Sequence, residues 1–212
     1  MIISHTYKYC FFSVPRTAST AISQYLKANC DGHQKGKKHS SYESFLQTAV
    51  PEERQYFTFA GVRHPMDSAV SEYFKKKSDH NGKFSRGHFK NGRPINPEAM
   101  ERYQYLQGTN ASFSDYFLKF YTKPYGVGFY EHTLRYMDHI IRYEHLNADF
   151  QHVLSSLGIK SGPPPLTPVN PTRKKAQEYW TFYTPEALDR ARDVFAFFMG
   201  LYGYKVPGGG PL

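Results

Sequence analysis

Cysteine is scarce in this chain: Cys10 and Cys30 are the only two in 212 residues. Two cysteines make no disulfide framework, and no Cys/His spacing fits a metal cluster. No metal site is expected, and both thiols read as packing residues. Acidic residues run short as well, 18 Asp and Glu against 27 Lys and Arg, which leaves a formal charge of +9. Such an excess calls for an anionic partner without choosing among nucleotide, sulfated or phosphorylated substrate, nucleic acid and acidic lipid. No apolar run approaches the roughly 20 residues needed to cross a bilayer. MIISHTYKYCFF at the start has no basic region before its apolar run and no small-residue cleavage pattern. The expectation is a cytoplasmic protein without a membrane span. There is no internal repeat and no low-complexity tract.

Aromatic residues are plentiful, 17% of the chain, so a packed core is expected rather than disorder. Buried strands are predicted at about Tyr7 to Val14, Phe57 to Val62 and His139 to Tyr143. Helices are predicted at about Ala18 to Lys27, Tyr42 to Thr48, Pro65 to Lys77, Ser112 to Tyr121 and Asn147 to Leu157, the last stopped by Gly158. Asp31 to Ser41 reads as a loop. Ser78 to Met100 reads as a long irregular insertion, a candidate substrate loop. Thr184 and Pro185 open a final helix. Its Leu188, Ala191, Phe195, Phe198 and Tyr202 form one core-facing stripe. Lys75, Lys76 and Lys77 read as exposed charges at a helix end. Strands alternating with helices predict a three-layer α/β fold with a central, mainly parallel sheet. A single domain over 1–207 with a flexible tail at 208–212 fits the length.

Ligands of such sheets bind at the carboxyl ends of the strands, and two strand ends here carry unusual loops. In FFSVPRTASTAISQYL, the apolar run ends at Val14 and PRTAST leads into a helix. That turn can aim backbone N–H groups, the Thr17, Ser19 and Thr20 hydroxyls and the Arg16 guanidinium at one anion. A nucleoside-triphosphate loop would read GxxxxGK followed by Ser or Thr. PRTAST has neither Gly nor Lys, so an ordinary ATPase or GTPase is disfavoured and the loop must reach a phosphate with non-glycine geometry. The second element is VRHPMDSAVSEYF. Arg63 ends a buried strand and Ser71 lies two turns into the next helix, a pair able to flank a second anion.

Together these stretches resemble the paired cofactor motifs of sulfotransferases that use 3′-phosphoadenosine 5′-phosphosulfate. In that family a Pro-Lys-Thr-Gly-Ser-Thr type loop holds the 5′-phosphosulfate, and an Arg-x-Pro-x-x-Arg-x-x-Ser-x-Tyr element holds the 3′-phosphate. Pro15, Thr17, Ser19 and Thr20 match the first, with Arg16 in place of Lys and Ala18 in place of Gly. Arg63, Pro65, Ser71 and Tyr73 match the second, with Ser68 at its internal Arg. KHSSYESF is similar to a His-x-Ser-Tyr stretch of uronyl and heparan sulfate 2-O-sulfotransferases, where the His is a catalytic base. IIRYEHLNADF, NPTRKKAQEYWTFYTPEAL and GLYGY extend the likeness along nearly the whole chain. The resemblance is to the carbohydrate-type branch in a loose sense.

The resemblance implies a P-loop-NTPase-like sulfotransferase fold. It implies transfer of a sulfuryl group from 3′-phosphoadenosine 5′-phosphosulfate to a hydroxyl, less readily an amine, of a small-molecule or carbohydrate acceptor. The bisphosphate PAP is released and no metal is needed. It places Pro15, Arg16, Thr17, Ala18, Ser19, Thr20, Arg63, Ser71, Arg173, Lys174 and Lys175 on the nucleotide, and His39 as general base. In-line displacement asks mostly for alignment and charge stabilisation, and a neutral imidazole suits proton removal near neutral pH. Arg16 can stabilise charge but cannot give up a proton as Lys can. His33 competes with His39 for the role of base. His64 and Glu144 read as structural, the latter bracing a neighbouring loop, and Trp180 as either core or a base-stacking ring. Competing readings are an atypical nucleotide kinase, a basic nucleic-acid-binding module that is not an enzyme, and an inactive nucleotide-binding homologue.

Overall fold

In a computed structural model of the chain, residues 1–89, 91–160, 166 and 178–207 are described. They form two compact units: Met1–His64 with Gly126–Asn170, and Pro65–Tyr125 with Pro171–Leu212.

The first unit is built on a five-stranded sheet. Its strands are β1 (Ile2–Ser4), β2 (Tyr9–Phe12), β3 (His33–Gln34), β4 (Phe57–Val62) and β5 (His139–Arg142), in the order β3-β1-β2-β4-β5. β2, β4 and β5 are parallel, with Phe12 opposite Ala60 and Val62 opposite Arg142. β1 and β3 add an antiparallel edge. The expected α/β architecture with a central, mainly parallel sheet is present. Its antiparallel edge lies in segments too short to announce themselves: three residues before a tight turn, and two inside the stretch read as a loop.

Alternation along the strands sends side chains to both faces. Ile2, Tyr9, Phe11, Phe59 and Ile141 meet Ile22 and Leu26 of α1 (Ser19–Asn29) and Phe150, Val153 and Leu154 of α7 (Leu146–Ser156). On the other face, Phe12 packs edge-on against Phe45 of α2 (Tyr42–Leu46) and touches Tyr42, which stacks on Tyr136. A sheet covered on both faces explains why its central strands read as continuous apolar runs. α6 (Val127–His132) leads into a short turn before β5.

The second unit is helical: α3 (Pro65–Lys77), α4 (Pro97–Thr109), α5 (Phe113–Phe120) and α8 (Pro185–Tyr202). Their ends follow from capping chemistry. Ser112 and Asp115 form a reciprocal capping box on α5. Thr184 accepts from the Ala187 N–H, with Pro185 in the first turn and Gly203 closing α8 in the left-handed region. Ala191, Phe195 and Phe198 of the expected α8 stripe are buried and are joined by Ala187, Val194 and Met199, while Leu188 and Tyr202 are half-buried. α4 starts inside the stretch read as irregular. Asn96 caps it and Pro97 opens it, but only Leu106 is buried, so no apolar stripe marked it.

The first two turns of α3, Pro65 through Ser71, are buried. One expectation needs correction here. Lys76 is not an exposed end charge. It is 4% exposed and paired with Glu72, which also receives the Tyr121 hydroxyl at 3.2 Å and lies 3.8 Å from Arg102. A lysine this buried requires such a partner.

Cys10 sits fully buried in β2, and Cys30 caps the C-terminal end of α1. Burial pushes the Cys10 thiol up to about 12, and that of Cys30 to about 11. The folded protein is therefore expected to give no reaction with Ellman's reagent at pH 8, and two equivalents once denatured. A native-state reaction on the mixing timescale would contradict this packing.

Candidate active site

The register of the parallel strands sets the site. β2, β4 and β5 all end on the same edge of the sheet, and their outgoing loops lie side by side. Arg63 ties these loops together. Its Nη1 donates to the Arg16 carbonyl at 3.3 Å, and its guanidinium lies over the Tyr143 ring, 4.1 Å from the centroid. Next to it, the His64 N–H donates to Glu144 Oε1 at 2.7 Å. Glu144 thus braces the adjoining loop, and His64 is buried. Arg63 thus reaches the backbone of the 15–18 turn, at the Arg16 carbonyl.

The 15–18 turn solves its geometry without glycine. Arg16 and Ala18 are both left-handed, with φ of 73° and 57°. Each such residue costs on the order of 1–2 kcal/mol. The glycine that the loop needs is on the neighbouring strand instead. A Cβ at Gly61 would stand 2.8 Å from Thr17 Oγ1 and 2.9 Å from Thr17 Cβ. Thr17 is buried and donates its hydroxyl back to the Val14 carbonyl at 2.9 Å. Its side chain therefore closes the loop rather than pointing outward. Ser19 is buried too, Pro15 is exposed, and Thr20 is half-buried in the first turn of α1. Ala18 at the N-cap supplies no side-chain acceptor, and the first turn carries no acid. A helix start of this kind favours an anion.

His39 reaches the same edge. Its Nδ1 lies 2.7 Å from the carbonyl oxygen of Ser13, the first residue past β2. A carbonyl only accepts, so Nδ1 carries the proton and Nε2 holds the lone pair of the neutral ring. The loop around it is anchored twice. Lys35 pairs with the buried Glu53, which also accepts from the Val50 N–H at 2.9 Å. Ser41 caps α2 through the Ser44 N–H, and Phe45 is buried beneath. His33 lies elsewhere: its ring packs 5.1 Å from His5, whose Nδ1 meets the hydroxyl of Tyr56, the residue before β4. That is the opposite end of the parallel strands from Ser13.

Among residues that the sequence did not single out, Gly61 and Tyr143 matter most. A glycine at the end of an apolar strand hints at close backbone approach, but an arginine-bearing ring leaves no pattern. Lys38, inside KHSSYESF, donates from Nζ to Thr20 Oγ1 at 2.9 Å. Ser71 belongs to α3 of the second unit, where it is 4% exposed. Arg173, Lys174 and Lys175 lie outside the described residues. Trp180 is 37% exposed, edge-on to Tyr179.

A family model described as "Sulfotransferase family" matches residues 1–205. The chain belongs to the sulfotransferase family. Its activity class is therefore sulfuryl transfer to an acceptor, and a kinase or a non-enzymatic nucleic-acid module is set aside. Among curated proteins and solved structures, none matches the chain. No described helix is long and apolar enough to cross a membrane.

The close approach of Thr17 to β4 generates a test. Gly61→Ala is expected to cost about 1–3 kcal/mol, because backbone and a short β-branched side chain must yield together. Urea denaturation at unchanged slope reads this out. A neutral substitution would mean that the 15–18 turn does not rest on β4.

Proposed function

We propose that this sulfotransferase uses 3′-phosphoadenosine 5′-phosphosulfate as donor and a hydroxyl of a small-molecule or carbohydrate acceptor. The observation that carries this is the contact between Arg63 and the Arg16 carbonyl. It puts two anion-seeking groups, from two strand ends, within one ligand's span. The donor set fits such a ligand. The 16–20 turn supplies backbone amides at a helix start, and turns of this kind form anion-binding concavities. Arg16 supplies a fork of donors, and the Arg63 guanidinium over Tyr143 brings a second cation to the same strand ends.

When bound, the nucleotide supplies the sulfuryl group and leaves as the bisphosphate. The protein's own residues do the rest. The 16–20 amides with Thr20 hold the 5′ side, and Arg16 stabilises charge where it grows. Arg63 holds the 3′-phosphate, which distinguishes this nucleotide from ATP. His39 accepts the acceptor's proton at Nε2, because the Ser13 carbonyl fixes the proton of the free imidazole on Nδ1. The resemblance adds Ser71 and the 173–175 run to the 3′ side, and the carbohydrate-type branch as the acceptor class. The present reading rests on the first unit alone. An inactive homologue would have no need of an imidazole held in one tautomer beside the anion site.

Thermal shift and calorimetry with PAP, ATP and a short oligonucleotide test the donor. Selective stabilisation by PAP is expected, and a preference for ATP or the oligonucleotide would overturn the assignment. Arg63→Ala is expected to weaken PAP roughly 10- to 100-fold, the scale of one lost charge-assisted hydrogen bond, with little effect on adenosine 5′-phosphate. His39→Ala is expected to lower kcat about 100- to 10,000-fold with PAP affinity kept. Full turnover in that variant would remove His39 from the chemistry.

A further inference from the structure

Arg16 leaves a chemical gap on the leaving-group side. A guanidinium spreads its charge over a plane, whereas an ammonium concentrates it at one point. An ammonium stands beside the same loop. Lys38 Nζ donates to Thr20 Oγ1 at 2.9 Å, in the first turn of α1. No carboxylate among the described residues pairs with Lys38. Lys38 is exposed, but the loop bearing it is pinned by Lys35 on Glu53 and by His39 on the Ser13 carbonyl.

We propose that Lys38 is a catalytic residue, the ammonium that holds the 5′-phosphate oxygen from which the sulfuryl group departs. This rests on the donor assignment made above. In the step concerned, the acceptor oxygen forms its bond to sulfur as the bond from sulfur to the bridging 5′ oxygen breaks. The electron pair of the broken bond stays on that oxygen, the acceptor's proton goes to His39 Nε2, and Lys38 keeps its proton while donating a hydrogen bond to the new charge. Arg16 supplies a planar fork of donors, and Lys38 supplies a compact charge from the next loop. The electrostatics agree. Surrounding protein, and secondly the Lys27 charge, lower the Lys38 pKa. A cation with a cationic neighbour and no carboxylate is stabilised by an arriving anion.

The test is calorimetric titration of PAP and of adenosine 3′-phosphate, which lacks the 5′ group, into the wild-type protein, Lys38→Ala, Lys38→Arg and Lys37→Ala. Lys38→Ala is expected to weaken PAP about ten-fold or more and leave adenosine 3′-phosphate unchanged, while Lys38→Arg keeps most of the PAP affinity. Lys37→Ala, which removes the neighbouring exposed charge, is expected to change neither. Turnover of the sulfated nucleotide by Lys38→Ala should fall by more than PAP affinity does, since the contact strengthens as charge develops. Unchanged PAP binding in Lys38→Ala overturns the proposal. So does an equal loss for both nucleotides, or an equal loss in Lys37→Ala. In each of those cases wild-type binding of PAP leaves the donor assignment standing. A wild-type protein that does not bind PAP overturns both.

Discussion

The parallel pairing of β2 with β4 is the constraint on which the site depends. With Phe12 opposite Ala60, the chain leaves both strands at the same edge and at nearly the same level. The loops after Phe12 and after Val62 then have no choice but to meet. A shift of one residue in this register would turn Phe11 and Phe59 out of the core, so the same apolar side chains that build the sheet also align the loops. Arg63 exploits that alignment. Its hydrogen bond to the Arg16 carbonyl and its seat on Tyr143 link three strand ends, β2, β4 and β5, through one side chain.

A loop without glycine that still adopts left-handed geometry at two positions has to be held there by its surroundings. Three features hold it: the Thr17 hydroxyl on the Val14 carbonyl, the Thr17 side chain against Gly61, and Arg63 on the Arg16 carbonyl. The cost of the strained backbone is met by packing against β4. In return the amides before α1 are fixed before any ligand arrives, so less ordering remains to be done on binding. The Thr17 hydroxyl is thus structural, whereas sequence reasoning counted it among the groups facing the anion. A motif tells which residues form a loop, but not which of their atoms the loop uses on itself.

Much of the fold was legible because long periodic segments announce themselves. β4, α1, α7 and α8 each carry either a continuous apolar run or a stripe, and their ends carry Pro65, Gly158, Thr184 or Gly203. What stayed hidden was held by tertiary context. β3 is two exposed residues that exist as a strand only because β1 lies beside them. α4 is polar around most of its surface. Lys76 looked like one of three solvated lysines until Glu72 was seen to take it into the interior. The sequence pointed to the two loops and to His39, and the structure brings the loops after β2 and β4 together through Arg63 and sets His39 on Ser13. The site was not legible at Tyr143 or Gly61, whose roles arise from three-dimensional neighbours alone. His39 and His33 lie toward opposite ends of the parallel strands, which six residues of sequence separation could not show.

The tautomer of His39 shows how little freedom the site has. Were the ring's partner a hydroxyl, Nδ1 could donate or accept and either nitrogen could carry the lone pair. The Ser13 carbonyl removes that ambiguity, and Ser13 is itself fixed by the end of β2. On the proposed mechanism, a base held in this way delivers its lone pair in a direction set by the sheet. The direction is useful only if the leaving group is held just as rigidly on the far side of the sulfur, because in-line displacement requires both at once. On the proposed mechanism that second requirement falls to the 16–20 turn, whose strained residues and borrowed glycine tie it to the neighbouring strand β4. On that mechanism base and leaving-group site take their positions from adjacent strands of one sheet, which makes catalytic alignment and core packing the same problem.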